Sequence, residues 1–209
     1  MIQEPRRGEE HAVTPTFRRI AVWAAALAAV QSVSYTVSFA LFVRRGYRWA
    51  HWASAIALMV TALLVVPVFV ALYERLRGAE PELALIALIT GVAGVLGATL
   101  HGAFDVAVLA NPVTEGSDLP SQVDPRGFLT FAVTGLALAL FGILALRSAR
   151  PLGYAGITAG LVLIVVYLGR LTALDPNNNV IRVGALVSGL VAIPAFFLLA
   201  VRAALQPDD

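Results

Sequence analysis

In the stretch GVLGATLHGAFDVAVLANP, residues 94–112, His101 and Asp105 stand four residues apart in otherwise apolar surroundings. On an α-helix that spacing puts both side chains on one face, where the carboxylate can accept a hydrogen bond from the imidazole and fix its orientation. An oriented imidazole is equipped to act as a general base, a proton carrier or a metal ligand. Arg170 is also embedded in an apolar run. An arginine in such a place either snorkels to the interface or meets an anion, and Asp105 is the natural candidate. In AVQSVSYTVSFA, the residues Gln31, Ser34, Tyr35 and Ser38 follow an i, i+3, i+4, i+7 pattern. They mark one helix face that must turn toward protein or water. Tyr167, one turn before Arg170, is placed to join them.

The elements that position these residues follow from the distribution of charge. Of the 209 residues 59% are hydrophobic and only 13% charged, and the charges are absent from six long windows. The windows cover residues 20–43, 52–73, 83–110, 127–146, 151–171 and 183–201. Each exceeds the roughly 18 apolar residues that mark a spanning segment. The expected fold is therefore all-α, a polytopic membrane protein built as a bundle of six transmembrane helices, with tails at 1–19 and 203–209. The first window ends in Arg44-Arg45 without a convincing cleavage site and reads as a retained helix rather than a signal peptide. Pro81, Pro125 and Pro151 sit where a helix start tolerates a missing amide proton.

Six spans place both termini on one side, and arginine counting favours the cytoplasm. Nine arginines, Arg18 and Arg75 among them, fall on the terminal side, against six on the other, including Arg44, Arg45 and Arg48. At about 1.5 Å per residue, His101 lies about 27 Å, Asp105 about 33 Å and Arg170 about 28 Å from the inner ends of their spans. The stripe from Gln31 to Ser38 climbs from mid-membrane toward that level. The sequence thus predicts an outer-leaflet pocket drawn from Gln31, Tyr35, Ser38, His101, Asp105, Tyr167 and Arg170.

Several chemistries are excluded or disfavoured. There is no cysteine, hence no disulfide, no thiolate nucleophile, no Cys-ligated metal and no c-type haem attachment. All fifteen basic side chains are arginine, so no lysine exists to form a Schiff base with retinal. Axial haem ligation needs a histidine pair, yet only His101 lies inside a span, with His11 in the tail and His51 beside Trp49 and Trp52 at an interface. The net charge of +2 comes from arginines clustered at span ends, which points to lipid headgroups rather than nucleic acid. Gly91, Gly94, Gly97 and the Gly156/Gly160 pair read as close helix packing.

Two loops stand out, a polar acidic connection at 111–126 and the turn LDPNNNV at 174–180. An ungapped match of LLVVPVFVALYERLR (63–77) with LVAIPAFFLLAVRAA (190–204) suggests duplicated helical hairpins, with Pro67 and Pro194 kinking their helices.

The second-span end VVPVFVALYERLR, the loop NPVTEGSDLP, the turn DPNNN and the last-span GLVAIPAFFLLA resemble a group of bacterial six-span proteins known only as a domain of unknown function. The resemblance implies a six-helix integral fold in a bacterial inner membrane and no catalytic residue. The leading reading is a non-enzymatic protein that binds or transports a small molecule or lipid, or serves as an accessory subunit. A lipid-modifying hydrolase or transferase using His101 and Asp105 is the rival, and a purely structural subunit of a membrane complex is the third reading. Expected partners are membrane lipids, a small molecule or apolar cofactor such as a quinone or pigment, and a second copy or a larger complex.

Overall fold

A computed structural model of the chain describes residues 14–111, 124–173 and 178–205. Most of the acidic loop and residues 174–177 of the asparagine-rich turn lie outside the described residues. The first span is α1 (Pro15–Arg45). The second is two helices in tandem, α2 (Arg48–Met59) and α3 (Thr61–Leu76), and the third is α4 (Pro81–Ala110). The fourth starts with the single turn α5 (Pro125–Gly127), passes through a π-helical stretch, Phe128–Val133, and continues as α6 (Thr134–Ala145). The fifth is α7 (Arg150–Ala173). The sixth joins α8 (Asn179–Val187), a second π-helical stretch, Ser188–Ala192, and α9 (Ile193–Leu205). Taken as continuous rods, these are six helices long and apolar enough to cross a bilayer, with no strand among the described residues.

Helix ends obey local chemistry more than hydropathy. α1 begins at Pro15, well before the apolar window, because the Thr14 hydroxyl accepts from the Phe17 N–H at 3.3 Å and Pro15 needs no partner for its nitrogen. It ends where Gly46 adopts φ 65° and its N–H returns to the Phe42 carbonyl.

Small residues face inward and large ones outward. In α1, Ala21, Ala24, Ala25, Ala28 and Ala29 are buried, while Trp23, Leu27 and Val30 are exposed. That inversion of a water-soluble helix fits hydrocarbon, where close backbone approach rather than apolar burial drives association. α6 and α7 pack so closely that a Cβ on Gly156 would lie 2.8 Å from the Gly142 Cα. Gly91, Gly94 and Gly97 likewise receive Phe69, Thr134 and Leu129. Exposed Trp23 and Tyr154 lie near one end of the bundle, with Tyr47 stacked on Trp49 at the other, as expected of interfacial aromatic girdles.

The half of the bundle in which α1 begins and α9 ends, termed inner as opposed to outer, is filled by large side chains. Phe69 stacks on Phe141 at 5.2 Å, Phe196 is fully buried beside Phe197, and Arg75 donates to the Ala203 carbonyl between α3 and α9. The two prolines of the matched segments sit differently: Pro67 is inside the uninterrupted α3, whereas Pro194 directly follows the π-helical stretch.

Candidate functional site

Three departures from regular helix occur in the outer half, and each is stabilised by a polar side chain. Between α2 and α3 the chain breaks at Val60, and the Gln31 side-chain amide donates to the Ala57 carbonyl at 2.8 Å and to Thr61 Oγ1 at 3.1 Å. In the sixth span Pro194 has no N–H to give and its ring crowds the carbonyl four residues back, so the preceding turn widens. The Gly189 carbonyl in that turn accepts from Ser32 Oγ at 3.0 Å. Gly189 has to be glycine, because a Cβ would run into the Thr36 side chain. In the fourth span the hydroxyl of Thr130 donates to the Arg126 carbonyl at 2.7 Å and that of Thr134 to the Leu129 carbonyl at 3.2 Å. Irregular backbone at membrane depth is tolerated only where it is buried in protein or lines a cavity.

A cavity of about 700 Å³ lies between these three places, and all six spans contribute to its wall. Its floor is apolar, made by Val65, Phe69, Leu138 and Phe197. Above the floor runs a polar belt that includes Gln31, Ser32, Thr61, Thr130 and Ser188. Toward the outer side the wall continues through Phe39 and Phe42 to the exposed Arg44 and Arg182.

Arg170 projects into this space. It lies within one turn of the outer end of α7, yet it is only 8% exposed, so its side chain does not snorkel outward. The Cα–Cβ bond of a helical residue tilts toward the helix N-terminus, here inward. The guanidinium accordingly lies 4.5 Å from the centroid of the Phe131 ring. Its Nη1 is sealed from solvent and has no hydrogen-bond acceptor, and no carboxylate among the described residues forms an ion pair with it. Tyr35, on the facing α1, is within electrostatic range of it and also lines the cavity.

His101 and Asp105 belong to a separate cluster behind the wall. His101 is 2% exposed, with Nε2 3.8 Å from Asp105 Oδ2 and Nδ1 3.3 Å from Thr130 Oγ1. The Thr130 hydrogen goes to the Arg126 carbonyl, so the network assigns the proton on Nδ1 and makes the imidazole the donor to Thr130. Phe131 stands between the two groups, its face to Arg170 and the His101 ring edge-on at 6.4 Å. The expected Asp105–Arg170 pair is not formed: the carboxylate of Asp105 faces His101, and the Arg170 guanidinium lies over Phe131. Nearby, Asp124 caps α5, accepting from the backbone N–H groups of Arg126 at 2.7 Å and Gly127 at 3.3 Å and pairing with the Arg126 guanidinium, which stacks on Phe104. Burial acts to raise the Asp124 carboxyl, but these hydrogen bonds and the arginine charge outweigh it and hold it below the usual carboxylate range.

Of the residues singled out in the sequence, Gln31, Tyr35 and Arg170 line the cavity. His101 and Asp105 form the cluster behind it, Ser38 is buried away from it, and Tyr167 packs on Phe128 at 5.6 Å. Ser34 is exposed on the outside of α1, so the polar stripe is not one face turned inward. The cavity face instead carries Gln31, Ser32, Tyr35, Thr36 and Phe39. Ser32 and Thr36, themselves four residues apart, were the missed signal, along with Thr61, Thr130 and Thr134. His51 stacks on Phe42 at 3.9 Å, and no group of three metal-binding side chains occurs among the described residues. No protein-family model, curated protein or solved structure matches the chain.

Proposed function

We propose that the protein binds an amphiphilic small molecule or lipid in the outer half of its membrane bundle. The observation that carries this reading is the cavity, whose size falls within the range of about 300–1,000 Å³ typical of small-molecule sites and whose apolar floor and polar belt suit a ligand with a tail and a head. The wall runs from the floor to Arg44 on α1 and Arg182 on α8, and α8 packs on α7 while α1 packs along α9. The outer ends of α1 and α8 thus border the route by which a molecule from the outer leaflet would enter. The solid inner half favours binding over passage across the membrane. The arginine bias supports cytoplasmic termini, and the resemblance to bacterial six-span proteins supports an inner-membrane location.

The lipid-hydrolase reading is weakened by the position of His101, which does not line the cavity and touches it only through Thr130 and Phe131. The test is mass spectrometry of molecules that co-purify in mild detergent, comparing wild type with Ala185→Phe, which adds an aromatic ring at a cavity-lining position. Wild type is expected to carry one defined amphiphile that the variant lacks. Bulk lipid alone, equal in both, would reject the proposal.

A further inference from the structure

The polar belt differs from an ordinary hydrogen-bonding pocket in what its groups have left to offer. Ser32 donates to the Gly189 carbonyl, Thr36 to Ser32, Thr61 to Ala57, Thr130 to Arg126, Thr134 to Leu129 and Ser188 to Ala185. A hydroxyl has one hydrogen, so each of these presents only lone pairs to the cavity. The Gln31 amide nitrogen is engaged by Ala57 and Thr61. Donors for a ligand are therefore concentrated in Arg170 and the Tyr35 hydroxyl.

Resting on the cavity reading above, we infer that the ligand is a single-chain amphiphile whose head is a carboxylate, and that Arg170 receives it. A buried arginine with no carboxylate paired to it among the described residues carries a positive charge in a weakly polarisable setting, and one negative charge brought by a ligand neutralises it. A doubly charged phosphate monoester would exceed it, because the other two arginines on the wall, Arg44 and Arg182, are exposed at the outer rim; a singly charged phosphodiester would not, and phosphatidylglycerol is the probe that separates that head from a carboxylate. Stacking on Phe131 holds the guanidinium by its face and leaves its in-plane donors directed sideways, the fork geometry that matches a carboxylate. The hydrocarbon chain takes the apolar floor between Val65, Phe69, Leu138 and Phe197. A ligand hydroxyl, if present, would find acceptors in the belt. A head made mainly of acceptors, other than the one group held by Arg170 and Tyr35, would find no hydroxyl donors in the belt, only Arg44 and Arg182 at the rim.

The experiment uses the full chain, stripped of lipid in mild detergent, and measures binding by native mass spectrometry and thermal shift. The probes are oleate, oleyl alcohol, oleylamine and dioleoyl phosphatidylglycerol. Oleate is expected to bind one per chain, about 10- to 100-fold tighter than oleyl alcohol, the range set by hydrogen bonds to a charged group. Arg170→Gln should bring oleate down to the level of the alcohol without changing alcohol binding, and Tyr35→Phe should weaken oleate by a few-fold. If Arg170→Gln does not fold, the comparison of probes on wild type and Tyr35→Phe still decides. Equal binding of oleate and alcohol, or of oleate and phosphatidylglycerol, overturns the inferred head or chain number while leaving the cavity reading intact. Failure of every probe to bind overturns both. Stabilisation by 0.5 M chloride equal to that by oleate would show a site for an inorganic anion and would also overturn the inference.

Discussion

Replacing Arg170 by methionine should stabilise the ligand-free protein and remove its response to ligand. The side chain is 8% exposed, lacks an acceptor at Nη1 and has one visible compensation, the Phe131 ring at 4.5 Å. A desolvated cation–π contact returns about 2 kcal/mol, whereas taking an arginine out of water costs several. Methionine keeps much of the aliphatic stem, is adaptable and packs well against aromatic rings. The variant should therefore gain about 1–3 kcal/mol when no ligand is present, within the range seen when buried charges are replaced by apolar residues. With oleate at a hundred times its dissociation constant, wild type should gain about 2.7 kcal/mol by mass action and the variant none, so the order of stability narrows or reverses. Unfolding of delipidated protein in mixed micelles, with and without oleate, measures both quantities. A ligand-free variant less stable than wild type would refute the reasoning, because it would mean that Arg170 is a structural pillar.

Ser32→Ala leaves the Gly189 carbonyl without its 3.0 Å partner, and a loss of about 0.6–1.5 kcal/mol in the same unfolding assay is expected. Gly156→Ala would press a methyl onto the backbone of Gly142 and should destabilise by about 1–3 kcal/mol, detectable also as loosened cross-linking between α6 and α7. Asp124 has a depressed carboxyl, so its contribution is complete above the unfolded value of about 4 and is lost as pH falls through the folded one. Thermal scans from pH 7 down to pH 3 should show a drop that Asp124→Asn, which keeps an acceptor for the α5 cap, makes smaller. Equal acid sensitivity in both proteins would assign the effect to other carboxylates.

The six spans were legible because length and apolarity suffice to specify a membrane helix, and proline and glycine mark its ends. The breaks were not. Nothing in TALLVVPVF announces that α3 starts afresh at Thr61, because the break is held by Gln31 from another helix. Residue counting sets Arg170 and His101 at one level, and both side chains meet the Phe131 ring. Azimuth was not legible: in a span apolar all round, periodicity does not say which way a helix is rotated about its axis. Hence Ser34 falls into one pattern with Gln31 and Tyr35 although it faces outward, and Asp105 matches by residue count an arginine with which it forms no ion pair.

The division of labour among polar residues explains why the site was hard to see. In most pockets hydroxyls and amides recognise the ligand, but here Ser32, Thr61, Thr130 and Thr134 are occupied with backbone carbonyls at or next to helix irregularities. Their chemistry is structural although they line the cavity. Arg170 is the reverse case: it is buried, and its Nη1 makes no hydrogen bond among the described residues. Substitutions in the belt should then lower stability with little effect on which ligand is chosen, while those at Arg170 should change ligand choice without lowering stability. Such a separation of effects would distinguish a binding site from a bundle whose polar groups only hold helices together.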